Sequence, residues 1–141
     1  MVNSSSFTTE LVLQFTLQAG HSLDTREELH DHLWNFELTF TGDPIRGRII
    51  DLPLLESKIT ELFQPFQKKP LNGKPRLNEA AQVFPTCETL GESFYGLIEN
   101  ETIPPLRAEL NPTLKLISVK VTLGDLDGRT YGSAILRKKP I

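Results

Sequence analysis

The chain has 141 residues, 38% of them hydrophobic and 23% charged, with a formal net charge of −3. This length is typical of one domain, and we expect a single domain over residues 1–141. No basic excess favours nucleic acid or an anionic membrane as partner, and no apolar run approaches the roughly 18 residues of a membrane span. One cysteine and a polar start without a secretory pattern predict a cytoplasmic protein.

Two segments near the start alternate apolar and polar residues, which predicts two half-buried strands. The first covers residues 7–17 and the second about 30–41. His21 continues the apolar parity of the first strand, provided that Ala19 and Gly20 form no bulge. His30 and His32 share the parity of the apolar residues that follow them in the second strand: Trp34, Phe36, Leu38 and Phe40.

All three histidines of the chain are thus expected on the covered side of one sheet. Three imidazole nitrogens form an open site that suits zinc, with the fourth position left for water or substrate. The competing interpretation is an ordinary strand surface, because a His-x-His pair alone is weak support for a metal site. At this point both interpretations stay open.

The middle of the chain predicts two helices separated by a long loop. Asp51 is a plausible N-cap of the first helix, and Thr86 is a plausible N-cap of the second. Residues 67–84 and 99–113 carry prolines or glycines and predict connections. The apolar residues at helical spacing are predicted to pack on the sheet: Leu55, Ile59, Leu62, Phe63 and Phe66 in the first helix, and Leu90, Phe94, Leu97 and Ile98 in the second.

Two further strands, 114–123 and 129–137, complete the predicted order β-β-α-α-β-β. This order favours an α+β fold with a four-stranded antiparallel sheet and both helices on one face. Such a sheet has two open edges, which neighbouring subunits can close. We therefore expect a homo-oligomer.

Five short motifs occur in an order that points to a known family. Residues 15–23 (FTLQAGHSL) and 30–34 (HDHLW) carry the histidines, and residues 47–52 (GRIIDL) lead into the first predicted helix. Leu71-Asn72 and residues 85–90 (PTCETL) follow. Together they resemble the 6-pyruvoyl-tetrahydropterin synthase family, which includes 6-carboxy-tetrahydropterin synthase, over nearly the whole chain.

The resemblance implies a T-fold, in which three subunits close their sheets into a barrel and two trimers often stack into a hexamer. It implies active sites at subunit interfaces, with zinc held by His21, His30 and His32. The implied activity is a zinc-dependent lyase acting on a dihydropterin with a phosphorylated side chain, such as dihydroneopterin triphosphate. The motif at 85–90 implies substrate contacts from Thr86 and Glu88.

The chain lacks the cysteine that usually precedes the family's second histidine motif. Glu27 instead stands three residues before His30, as in a subgroup whose product is 6-hydroxymethyl-dihydropterin. A carboxylate near zinc can act as a general base, so Glu27 is the candidate catalytic residue. The alternative is that Glu27 is a solvated loop charge. Asp31 takes the place of the motif's glycine, where it could orient a ligand histidine.

Two further positions depart from the family pattern. Gln67 and Lys68 stand where the family has an Asp-His pair, and neither titrates near neutral pH without strong perturbation. The family's pterin-binding glutamate falls near Leu123 here, which leaves Asp125 as the nearest candidate for a substrate contact. These departures keep a second function open, namely a zinc-binding homologue that has lost pterin chemistry and serves another ligand.

Cys87 also allows two interpretations. It stands at the start of the second predicted helix, where the pKa of a thiol is lowered and its reactivity raised. The alternative, which we favour, is a small buried residue without chemical function.

Overall fold

A four-stranded antiparallel sheet forms one layer of the molecule. In the computed structural model, which describes residues 6–23 and 28–140, the strands are β1 (Glu10–His21), β2 (His30–Thr41), β3 (Lys115–Gly124) and β4 (Thr130–Leu136). They lie in the order β1-β2-β3-β4, each antiparallel to its neighbour. The predicted fold class is confirmed, although β1 continues to residue 21 instead of ending at 17.

The register between β1 and β2 decides where the histidines lie. The two strands pair without interruption from Glu10 opposite Thr41 to His21 opposite His30. Because no bulge intervenes at Ala19 and Gly20, His21 keeps the parity of the apolar face. The histidines therefore continue the buried side of both strands at one end of the sheet.

Two long helices cover that side of the sheet. Helix α1 (Leu52–Phe63) begins after Asp51, whose side chain accepts a hydrogen bond from the N–H of Leu54, and a 3₁₀ turn (Gln64–Phe66) follows it. Helix α3 (Cys87–Leu97) begins after Thr86, which forms a reciprocal capping box with Thr89. Both N-caps lie where the sequence predicted them.

The core lies between the helices and the sheet. Phe36 of β2 contacts Phe63 of α1 and Phe94 of α3, with ring centroids 4.9 Å apart in each pair. The rings of Phe63 and Phe94 also contact each other, at 4.8 Å. Since one residue of β2 contacts both helices, the two pack on the same face of the sheet.

Two stretches predicted as connections contain helix. A short helix, α2 (Glu79–Val83), lies within 67–84, and a π turn (Ile98–Thr102) followed by α4 (Ile103–Glu109) occupies most of 99–113. The prediction was wrong in 67–84 because Pro70, Gly73 and Pro75 were taken to exclude a helix, and in 99–113 because Pro104 and Pro105 were taken as helix breakers. Both lie in the first turn of α4, directly after the π turn, through which the helix continues with the N–H of Ile103 bonded to the carbonyl of Ile98.

The segment after α1 covers part of the edge of β1. The Gln67 side chain accepts a hydrogen bond from the N–H of Gln18 (3.1 Å) and donates one to the carbonyl of Thr16 (2.9 Å). Lys68 donates its backbone N–H to Gln18, and Gly20 donates to the carbonyl of Lys69. This segment thus follows the edge of β1 from residue 16 to residue 20, and the stretch 10–14 extends beyond it.

No helix within 6–23 and 28–140 has the length and apolar character of a membrane span.

Candidate metal centre

The three histidines meet at the end of the sheet where β1 ends and β2 begins. Their ring centroids are 4.7 Å apart for His21 and His30, 4.8 Å for His21 and His32, and 4.7 Å for His30 and His32. One ring nitrogen of each lies within 4.8 Å of the other two. The cluster could therefore hold one metal ion on three nitrogens.

Backbone carbonyls determine which nitrogen of each ring carries the proton. Nδ1 of His21 lies 2.8 Å from the carbonyl of Pro85, Nδ1 of His30 lies 3.0 Å from that of Glu28, and Nδ1 of His32 lies 3.1 Å from that of Gly124. A carbonyl oxygen only accepts, so each Nδ1 donates a proton, and in the neutral ring Nε2 is left with the lone pair that can bind a metal. Metal-ligating histidines show this arrangement, and the three residues fit a zinc ion.

The cluster is enclosed on one side and accessible on the other. His21 and His32 are 4% and 8% exposed, whereas His30 is exposed. The buried Trp34 lies edge-on to His21 and His32, with centroids 5.1 and 6.0 Å away, and its indole N–H donates to the carbonyl of Ala19. A metal ion here would have an apolar wall behind it and a route for a ligand past His30.

Comparison with known proteins places the chain in a family. The family model for 6-pyruvoyl tetrahydropterin synthase matches residues 10–131. The chain belongs to this family. No curated protein sequence matches it.

Solved structures share the fold. The synthase of Plasmodium vivax, solved as a catalytic-residue mutant, is 15% identical, with 94% of this chain and 100% of that chain covered and a TM-score of 0.63. An uncharacterized protein of Wolinella succinogenes is 14% identical, with 95% and 100% covered and a TM-score of 0.67. The Caenorhabditis elegans synthase is 12% identical, with 94% and 96% covered and a TM-score of 0.62. At such identities the similarity shows the fold alone.

Within this family fold, two segments distant in sequence support His21. Pro85, directly before the N-cap of α3, supplies the carbonyl for its Nδ1. Asn72 accepts a hydrogen bond from the N–H of Ser22 (2.8 Å) and donates one to the carbonyl of the same residue (2.7 Å). The chain is therefore fixed directly after the histidine. The motif Leu71-Asn72 indicated this position in the sequence, whereas the Pro85 carbonyl has no residue-type signal.

Asp125 lies beside His32. Its Oδ1 is 3.4 Å from Nδ1 of His32, and its other carboxylate oxygen accepts a hydrogen bond from the hydroxyl of Tyr131. This hydrogen bond raises the pKa of Tyr131, because it favours the protonated phenol. The sequence indicated Asp125 as a substrate contact, and the structure adds its proximity to a candidate metal ligand.

The remaining candidates occupy different surroundings. Thr86 caps α3, and Glu88 is exposed in the first turn of that helix. Burial, followed by the charge of Glu88, raises the pKa of the Cys87 thiol to about 11, which favours the unreactive interpretation. Asp31 is exposed next to Gly20, on the opposite side of β2 from the two histidines that flank it. Glu27 lies outside the described residues.

Proposed function

We propose that this chain is a zinc-dependent lyase that acts on a dihydropterin with a phosphorylated side chain, such as dihydroneopterin triphosphate. The observation that carries the proposal is the histidine cluster, in which three backbone carbonyls orient three rings with Nε2 as the unprotonated nitrogen. Membership of the 6-pyruvoyl tetrahydropterin synthase family supports the substrate class.

Zinc bound by His21, His30 and His32 would polarise oxygens of the substrate side chain and lower the pKa of their protons. The buried Trp34 behind the rings limits access of water from the core side. Each histidine would bind the zinc through Nε2, because its Nδ1 is directed at a backbone carbonyl. A separate base must then take the proton from the substrate.

We propose Glu27 as that base. It stands three residues before His30, and a carboxylate there would accept a proton from the side chain of the substrate. In the P. vivax synthase the substituted residue described as catalytic is also a glutamate. Removal of a proton from a side-chain hydroxyl, cleavage of the adjacent carbon–carbon bond and return of that proton to the pterin-side carbon would give 6-hydroxymethyl-dihydropterin, with the phosphorylated fragment released as an aldehyde.

We further propose that Thr86, Glu88 and Asp125 contact the substrate. Thr86 and Glu88 lie at the start of α3, one and three residues after the Pro85 carbonyl that binds His21. Asp125 follows Gly124, the carbonyl of which binds His32. All three side chains therefore border segments that hold the histidine cluster.

The function is tested by incubating the zinc-loaded protein with dihydroneopterin triphosphate and separating the products by chromatography. A hydroxymethyl, pyruvoyl or carboxy product establishes the lyase and identifies its subgroup. Absence of product from protein with a measured equivalent of zinc contradicts the proposal.

A second function is a zinc-binding homologue that has lost pterin chemistry. The observation that favours it is the position of Gln67. This residue and Lys68 stand where the family has an Asp-His pair, and the Gln67 amide forms hydrogen bonds to the backbone of β1. The family's pterin-binding glutamate also falls near Thr122-Leu123, and neither residue carries a carboxylate. Zinc binding without pterin turnover is the expected result for this alternative.

We also propose that the protein is a homo-oligomer, either a trimer or a hexamer. Strands β1 and β4 are the outer strands of the sheet, and β1 extends beyond the segment that covers part of its edge. An uncovered edge of this kind is a template for pairing with another subunit.

A further inference from the structure

The hairpin that joins β3 to β4 brings a carboxylate to the candidate metal centre. The N–H of Asp125 donates to the carbonyl of Arg129 (2.7 Å), and the N–H of Gly128 donates to the carbonyl of Asp125 (3.0 Å). Gly128 has a φ of 93°, which a residue with a side chain rarely adopts. These bonds hold Asp125 in a closed turn directly after the Gly124 carbonyl.

A β-bulge places Tyr131 beside the same group. Gly124 pairs with Thr130 and Leu123 pairs with Gly132, so Tyr131 is the extra residue on β4. A bulge changes the direction of a side chain relative to regular alternation. The Tyr131 ring lies 6.4 Å from the His32 ring, and its hydroxyl donates to Asp125. The guanidinium of Arg129 lies over this ring, 4.9 Å from its centroid.

We propose that Asp125 and Tyr131 are positioning residues that strengthen His32 as a metal ligand. The carbonyl of Gly124 fixes the orientation of the ring, and the Asp125 charge, 3.4 Å from Nδ1, increases electron density at Nε2. Tyr131 holds the carboxylate in place through its hydroxyl. This role rests on the proposed zinc function, and it is additional to the substrate contact proposed for Asp125.

The size of the effect of Asp125 on zinc affinity depends on how far the two side chains are exposed to water. The His32 side chain is 10% exposed and that of Asp125 is 32% exposed, so water partly screens the interaction. Groups that orient a metal-bound histidine are worth about 10- to 100-fold in affinity, and we expect the lower end of this range.

The test compares zinc affinity among three variants by competition with a chromophoric chelator. Asp125→Asn keeps the shape but removes the charge, and we expect about tenfold weaker binding. Tyr131→Phe should weaken binding less, because the carboxylate remains. Asp127→Asn is the matched control: it removes the same charge from the same turn, and its amide oxygen can still accept from the N–H of Arg129. Its zinc affinity should equal that of the wild type.

Two spectroscopic measurements supplement the zinc affinities, the first on the metal-free protein and the second on the cobalt-loaded protein. The Nδ1 proton of His32 should resonate further upfield in Asp125→Asn than in the wild type, because the carboxylate no longer deshields it. The absorption spectrum of the cobalt-loaded protein should change in the same variant and not in Asp127→Asn.

Each outcome decides between the proposals. Equal zinc affinity in Asp125→Asn and Asp127→Asn overturns the positioning role and leaves the metal site in place. An increase in KM with unchanged zinc affinity also overturns it and leaves Asp125 with the substrate contact alone. If the wild type binds no zinc, the proposed function fails, and an unchanged His32 proton resonance in Asp125→Asn then overturns the contact itself.

Discussion

Nδ1 of His21 donates a hydrogen bond to the carbonyl of Pro85 at 2.8 Å, across 64 residues of sequence. This bond connects the end of β1 to the start of α3, so a candidate metal ligand and a helix N-terminus hold each other in place. The cluster is thus oriented by the tertiary fold before any ion arrives.

Removal of one histidine should abolish tight zinc binding. In the wild type, zinc should raise the stability by about 2.7 kcal/mol at a free concentration roughly 100 times the Kd. His30→Ala should lose this gain, because only two nitrogens remain, and His30 is exposed enough for the change to leave the core intact. Thermal unfolding with and without zinc measures the effect. Undiminished stabilisation in His30→Ala would remove His30 from the site.

Substitution of Glu27 should separate binding from chemistry. Glu27→Gln should keep the zinc affinity of the wild type and lower kcat by about 100- to 10,000-fold, the usual contribution of a general base. Glu28→Gln is the matched control, because it changes the neighbouring charge. Steady-state turnover of dihydroneopterin triphosphate provides the comparison. Equal turnover in Glu27→Gln and wild type would exclude Glu27 as the base.

The thiol of Cys87 should be slow to react near neutral pH. Its pKa is raised to about 11, so the reactive thiolate is scarce at neutral pH and its fraction rises as the pH approaches 11. Mass spectrometry of iodoacetamide labelling across this range measures the profile, with urea-unfolded protein as reference. A profile with its midpoint at the ordinary thiol pKa of about 8.5 would contradict the prediction.

The side chain of Gln67 should stabilise the folded protein. Gln67→Ala removes a donor and an acceptor that bind β1, and we expect a loss of about 1–2 kcal/mol in the free energy of unfolding. Urea denaturation measures it, with the exposed Gln64 as control in the variant Gln64→Ala. Equal stability of the two variants would show that the edge contacts contribute nothing.

The edge of β1 should control assembly. Backbone groups of Gln18 and Gly20 bind the segment 67–71, so the alternating backbone directs the N–H of Val12 to the same edge. Val12 is 54% exposed. Val12→Pro removes that N–H from the edge and should reduce the oligomer to monomers, whereas Val12→Ala keeps it and should assemble. Light scattering measures both, and a wild-type monomer would contradict the proposed oligomer.

The sequence predicted the sheet and the histidine cluster because strand alternation directly encodes which face a side chain occupies. Trp34, Phe36 and His32 share one parity and lie on one face, as expected. The N-caps Asp51 and Thr86 were also predictable, because their side chains make local hydrogen bonds. Each of these features depends on residues close together in the chain.

The surroundings of the cluster could not be predicted in the same way. Pro85 and Gly124 act through carbonyl groups, which every residue carries, so their identity gives no signal. Tyr131 reaches His32 only because a bulge shifts its direction, and strand alternation does not reveal a bulge. The prediction missed helix α4 because Pro104 and Pro105 were taken as helix breakers, although both lie in the first turn of that helix.

The carbonyls that hold the histidines have a consequence for how the chain folds. His32 depends on a contact with Gly124, which is 92 residues away, and His21 depends on Pro85. Contacts of such long separation are slow to form, because the entropy of closing the intervening loop must be lost first. An ion would therefore meet a complete set of oriented ligands late in folding. Zinc would therefore stabilise the folded protein without directing how the chain folds.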